Sequence, residues 1–364
     1  NARAVLIGTL LLVAAAIPLA LQVKVESNLI EFFAPDHGIS RSTARVEAKL
    51  SGVTTMEIVL TASERDGLKN PATLAQIKAL QTWLEQQPEI DRSFSLVEVV
   101  EEMNRAFSGE DLGDHALPTN RRLVEQLLLI YDGEDLYELV NREFQRGRIA
   151  LNLNVHGANE IGQVIERIET HLAARPIPGI DTEMAGFGRL FSDQEDRIVV
   201  GQVKSFSSAF LQILLLLALL FRSFRGALIC LVPNLAPLFF IFVMMGVSGI
   251  ALDVATVLIA GVILGITVDD TIHLYHGYLH RIRRGVSPVF AIIRSVEASG
   301  RAVVAISIVL IVQFSLLGMS DFRPTAHFGM LCAVGLFAGQ LFELLLMPAL
   351  LGLRLRKSGA VTAP

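Results

Sequence analysis

The chain has 364 residues, 52% of them hydrophobic and only 18% charged, with a formal net charge of −5 and a mean hydropathy of +0.52. Such a balance excludes an ordinary soluble globular composition, and it offers no surplus of positive charge to hold a nucleic acid. With only two cysteines, Cys230 and Cys332, both inside apolar runs, a disulfide framework is excluded and the thiols are expected to serve as packing groups.

Residues 4–23 form a run of mostly apolar residues behind Arg3. It is long enough to cross a bilayer and longer than the core of a signal peptide, so a retained first membrane helix over 1–23 is expected. Residues 24–200 are soluble in character, with 18 Lys and Arg against 30 Asp and Glu, a local net charge of −12 that leaves the remainder at +7. Within them, Thr54–Thr61 and Arg148–Val155 alternate as half-buried strands do, and Asp181–Ala185 is a third candidate. Pro71–Gln87 and Asn159–Ala174 carry helical periodicity, with Asn70 and Asn159 placed to cap. Two helices over one face of a small antiparallel sheet, a split βαβ arrangement, are therefore expected, with a helical insertion at about 96–145. His115 and His156 stand isolated in the sequence and are read as surface or core residues.

Five further apolar segments follow, at about 205–221, 227–247, 254–275, 302–319 and 328–353. The domain organisation is thus one membrane helix (1–23), a large polar domain (24–200), five membrane helices (201–355) and a short tail (356–364). Arg222 and Arg225 fall between the second and third segments, Arg281, Arg283, Arg284 and Arg294 between the fourth and fifth, and Arg354, Arg356 and Lys357 after the sixth. By the positive-inside rule both termini are expected in the cytoplasm and the acidic domain outside it. Because the chain opens at Asn1 and turns hydrophobic almost at once, it reads as a fragment or as one half of a longer polypeptide.

Charge inside the fourth segment is the anomaly. Gly261, Gly265, Asp269 and His273 recur every four residues and so share one helix face. Asp269 lies roughly 20 to 25 Å along that helix, and an ionised carboxylate at the bilayer centre costs about 2.5 to 3.5 kcal/mol on insertion scales. Acids in such a place usually face a bundle interior and mark an ion or proton path. The two glycines are expected to admit another helix, with Asp269 and His273 at the dry seam, while Asp270 turns about 100° away toward a different partner such as the Thr267 or Thr271 hydroxyl. Segment six repeats the device with Gly335, Gly339 and Glu343, and Glu343 is expected at a similar depth, in one polar network with Asp269. Pro233 and Pro237 are expected to kink the third segment. Ser287 and Pro288 open an amphipathic stretch, with Val289, Ile292, Ile293 and Val296 on one face, that suits either a helix lying on the inner membrane surface or a linker packed on the bundle.

The one-plus-five pattern around a large polar domain, with Gly265-Ile-Thr-Val-Asp269-Asp270-Thr-Ile-His273, resembles the resistance-nodulation-division exporters, and within them the MMPL-like branch that includes hopanoid and other lipid transporters. Glu26-Ser-Asn-Leu-Ile-Glu-Phe-Phe and Asp321-Phe-Arg-Pro-Thr-Ala-His-Phe-Gly carry the same likeness, and the chain is most similar to the second half of a two-half protein. The resemblance implies a six-helix membrane domain with a ferredoxin-like, porter-type α/β domain in the periplasm of a bacterial inner-membrane protein. It implies proton-coupled export of lipid-like or hydrophobic molecules, no cofactor beyond the coupling proton, and a second half or homologous copy as partner in an oligomer. Asp269 and Asp270 match the relay position, with Thr267, Thr271, His273 and Glu343 around it. One departure stands out: drug-exporting relatives set a membrane lysine against these acids, and segments three to six contain none. The rival readings are an accessory subunit of protein translocation and a sterol- or lipid-sensing module that does not transport. An enzyme is not expected, since no catalytic constellation is visible.

Overall fold

The structure, a computed structural model, describes residues 2–108, 116–131 and 133–357; His115 and the tail beyond 357 lie outside the described residues. Two compact units result. One contains the described residues of Asn28–Glu31 and Pro35–Asp196, the other those of Asn1–Ser27, Phe32–Ala34 and Arg197–Pro364.

The polar unit is built as strand, helix, strand twice over. Its elements are α2 (Gly38–Lys49), β1 (Thr54–Ala62), α3 (Pro71–Leu84), β2 (Ile90–Phe94), the helical stretch α4 (Leu96–Ser108), α5 (Arg121–Ile130) and α6 (Glu134–Leu139), then β3 (Arg146–Leu153), α7 (Ala158–Ala174) and β4 (Ile180–Ala185). The sheet order is β2-β3-β1-β4, and every neighbouring pair is antiparallel. Met56, Ile58 and Leu60 of β1 and Ile149, Leu151 and Leu153 of β3 point to one face, where Leu74, Ile77 and Leu84 of α3 and Ile161, Val164 and Ile168 of α7 complete a single core. The period of two in the strands and about 3.6 in the helices thus converges on one layer. Asn70 caps α3, its Oδ1 accepting from the Ala72 amide at 3.0 Å. Asn159 does not cap α7: the helix starts one residue earlier, behind Gly157, with no side-chain cap. Sequence periodicity also passed over β2, which has five residues and a register break between Ile90 and Arg92.

A capping box opens α4. The Ser95 Oγ accepts from the Val97 amide at 3.0 Å while Glu98 Oε2 accepts from the Ser95 amide at 2.7 Å, satisfying two amides that no helix turn can reach. His156, isolated in the sequence, is not isolated in space: its Nδ1 is 2.7 Å from the Thr54 hydroxyl, and its Nε2 lies 2.8 Å from Glu47 Oε1 of α2.

The apolar unit contains α1 (Ala2–Ala20), most of α8 (Phe187–Phe221), α9 (Phe224–Ser248), α10 (Ile259–Arg283), α11 (Pro288–Leu317) and α12 (Arg323–Lys357). Among the described residues, six helices are long and apolar enough to cross a membrane. The helices outrun the apolar runs at most ends, because hydropathy marks the depth of lipid whereas hydrogen bonding and caps decide where a helix stops. Hence the boundary expected at residue 200 falls inside α8, and the tail expected from 356 begins within α12. The amphipathic stretch after Ser287 is not a separate surface helix: it forms the first turns of α11, with Ile292 and Val296 packed on the bundle and Val289 and Ile293 exposed.

Two apolar clusters divide this unit along its length. Cys230 and Leu231 of α9, Leu274, Tyr275 and Tyr278 of α10 and Met347 and Leu351 of α12 join Leu217 and Phe221 of α8 in one. Leu238, Ile241 and Met245 of α9, Ile259 and Ile263 of α10 and Leu331, Cys332 and Leu336 of α12 make the other. Both thiols are buried packing groups, as their apolar settings predict.

Candidate functional site

Between the two apolar clusters three helices each contribute polar groups. Asn234 of α9, Thr267 and Thr271 of α10 and Glu343 of α12 are all buried, and they stand where the sequence passes from one cluster to the other. The Asn234 Nδ2 donates to the Thr271 Oγ1 at 3.0 Å, and the Thr271 hydroxyl donates to Glu343 Oε2 at 2.7 Å. Asn234 also donates to the Cys230 carbonyl at 2.7 Å, inside a helix where Pro233 and Pro237 lack the N–H needed for two ordinary turns. Thr267 turns its hydroxyl onto its own helix, donating to the Ile263 carbonyl at 2.9 Å. Glu343 Oε1 and Asn234 Oδ1 are buried without a hydrogen-bond partner. An acid only 4% exposed, with one oxygen unpaired and apolar clusters above and below, is a costly arrangement if it carries charge.

Close packing on α12 creates this layer. A Cβ on Gly335 would stand 2.6 Å from Ile241 Cδ1, and one on Gly339 2.8 Å from Thr267 Cγ2. The glycines thus let side chains of α9 and α10 lie close against α12, in the helix layer where Thr271 meets Glu343.

The matching stripe on α10 has the opposite surroundings. Nothing stands within 4 Å of a Cβ built on Gly261 or Gly265, and the side chains of Asp269 and His273 are 74% and 68% exposed. The dry seam expected there is absent within this chain. Spacing correctly put these residues on one face, but α9 and α12 pack against Ile263, Thr267 and Thr271 instead. His273 Nε2 is 3.8 Å from Asp269 Oδ1, too long for a hydrogen bond. Glu343 consequently bonds to Thr271, on the far side of α10 from Asp269.

Three consecutive residues join the two environments. At about 100° per residue, Asp269 lies on the open face, Asp270 is half-buried, and Thr271 lies in the buried layer. Asn234 escaped sequence reasoning, although an amide between two prolines in an apolar run was a usable signal. Among the described residues no cluster of three or more metal-ligating side chains occurs.

Comparison with known proteins agrees with this architecture. The chain is similar to protein MJ1562 of Methanocaldococcus jannaschii, 23% identical over 339 residues that make up 91% of this chain and 85% of the relative; that protein's name speaks of a membrane protein and gives no activity. The description "MMPL family" matches residues 31–361, nearly the whole length and every helix of the polar layer, so the chain belongs to the MMPL family.

Proposed function

We propose that the chain is one half of a proton-driven exporter of lipid-like or hydrophobic molecules, with a ferredoxin-like, porter-type domain outside the cytoplasm and a one-plus-five helix topology. The observation that carries this reading is the sequence of environments around α10. Asp269 stands on an unoccupied face, Asp270 beside it is half-buried, and Glu343 closes a buried hydrogen-bonded layer. A proton taken up at Asp269 can pass to Asp270 and on to Glu343, and Thr271 and Asn234 hold the last acceptor in place. Neutralising Glu343 removes the cost of a buried charge, so protonated and deprotonated states favour different helix packings. Alternating between them is how the proton gradient would move the porter domain.

A face with two glycines, an aspartate and a histidine at this depth does not suit lipid. We assign it to a second, homologous copy, whose own α10 would meet it about a twofold axis. The counter-charge that a membrane lysine supplies in drug exporters would here be His273 across the interface, or protonation itself. No cofactor and no catalytic step enter this scheme. The arginine distribution supports an orientation with both termini in the cytoplasm.

The test is proton flux in liposomes containing purified protein, with fluorescent lipid as cargo. Wild type should couple the two, while Asp269→Asn and Asp270→Asn should insert normally and move neither. Full coupled activity in both variants would refute the relay. Lipid binding without flux in the wild type would favour the sensing module.

A further inference from the structure

At the arginine-rich end of the bundle an open groove of about 960 Å³ lies along α11, against the end of α10 and α12. Arg281, Arg294 and Arg301 line its mouth with Glu297, and Val304, Ile308 and Leu344 continue its wall. We propose that this groove holds an anionic phospholipid, its phosphate at the arginines and its acyl chains along the apolar wall.

The charges are not balanced from within. Arg294 pairs with Glu297 at 3.1 Å, but among the described residues no carboxylate pairs with Arg281 or Arg301. Arg281 is nonetheless held: its Nη1 donates to the Gly277 carbonyl at 2.9 Å and to the Ser295 Oγ at 3.2 Å, and the buried Ser295 hydroxyl in turn donates to the Leu274 carbonyl at 3.2 Å. These bonds fix a guanidinium at the groove with donors left over, the arrangement that suits the several oxygens of a phosphate. Arg301 stands one residue before the apolar run that starts at Ala302, where an arginine reaches the level of the headgroups. Beyond it the wall is aliphatic. A free anion would use only the mouth, whereas a phospholipid matches both parts. Basic pockets between helices on the cytoplasmic side are suited to anionic headgroups in this way.

The proposal is independent of transport and can be tested on the purified full-length chain in detergent. Native mass spectrometry would compare retention of phosphatidylglycerol with phosphatidylcholine of the same acyl chains, and with inorganic phosphate alone. Phosphatidylglycerol should be retained preferentially, and Arg301→Gln and Arg281→Gln should each weaken that preference about fivefold, the factor one arginine contributes near an anionic lipid surface. Arg225→Gln, at the same membrane end but outside the groove, should not. Because Arg281 also ties α10 to α11, Arg281→Lys serves as its control, and the exposed Arg301→Gln decides the matter alone if Arg281→Gln misfolds. Equal retention of the two lipids, or an unchanged preference in Arg301→Gln, would overturn the assignment. Displacement of the lipid by inorganic phosphate at equal concentration would show a phosphate site and overturn it as well.

Discussion

Two helices of this protein carry the same device, two glycines and an acid spaced by four, and the structure treats them in opposite ways. On α12 the stripe of Gly335, Gly339 and Glu343 is closed, with α9 and α10 pressed against the glycines and the acid hydrogen-bonded at 2.7 Å. On α10 the stripe of Gly261, Gly265, Asp269 and His273 is open. The contrast teaches that such spacing specifies a face fit for close approach without specifying what approaches. One stripe is satisfied by the chain's own fold, and the other remains available to a second molecule.

The strongest way to break the comparison is to fill the glycines. Gly335→Ala and Gly339→Ala each force a methyl to within 3 Å of a neighbour and should cost about 1 to 3 kcal/mol through overpacking. Gly261→Ala and Gly265→Ala meet nothing in the chain and should leave the isolated protomer unchanged or stabilise it by up to about 1 kcal/mol, the helix preference of alanine over glycine. Thermal denaturation of monomeric protein in detergent measures the difference, and equal destabilisation of both pairs would dissolve the distinction.

A comparable effect is expected in the polar layer. Thr271→Val strands Glu343 Oε2 and removes the acceptor of Asn234, for a loss of about 1 to 3 kcal/mol, and Thr271→Ser should recover most of it. Asp269→Asn, on the open face, should change protomer stability by no more than about 0.5 kcal/mol. The dimer is read separately: a bulky Gly265→Leu should lower self-association measured by cross-linking or light scattering while protomer stability stays as it was. An unchanged oligomeric state would take the second copy off this face.

A small effect is also expected in the polar unit, where water screens an exposed ion pair. Arg167 Nη1 lies 2.8 Å from Glu89 Oε2, and its hydrogen bonds hold the Glu89 carboxyl below its ordinary 4.5. A depressed carboxyl contributes stability above its unfolded pKa and loses it as pH falls through the folded one. Arg167→Gln should therefore cost less than about 1 kcal/mol at pH 7, given that the arginine is 39% exposed. The deficit should shrink below pH 4.5 and vanish once Glu89 is protonated in both proteins. Denaturant unfolding at pH 7 and pH 3.5 would check the sign.

Much of the fold was legible in residues. Alternation in Thr54–Thr61 and Arg148–Val155 located the two central strands, now paired from Thr54 with Leu153 to Thr61 with Arg146, and Asn70 capped where a cap was due. The short β2 and the Gly157 start of α7 were not legible, because five residues with a register break carry almost no periodicity and a glycine cap offers no side-chain signal. In the site, spacing put Asp269 and His273 together on one face, and glycine spacing on α12 anticipated a close seam. Yet Glu343 joined Thr271 and Asn234 rather than Asp269, since which side of α10 meets α12 depends on how the helices pack.

What the sequence by itself determined is local and periodic: which segments are apolar enough for lipid, which residues share a face, and that acids occupy a depth where charge is costly. Those properties follow from hydropathy and from the fixed rise and turn of a helix. Only tertiary structure decided that one glycine stripe closes and the other stays open, and that a buried hydrogen-bonded layer on three helices separates two apolar clusters. Burial and hydrogen bonding belong to pairs of surfaces, and a sequence describes each surface without naming its partner.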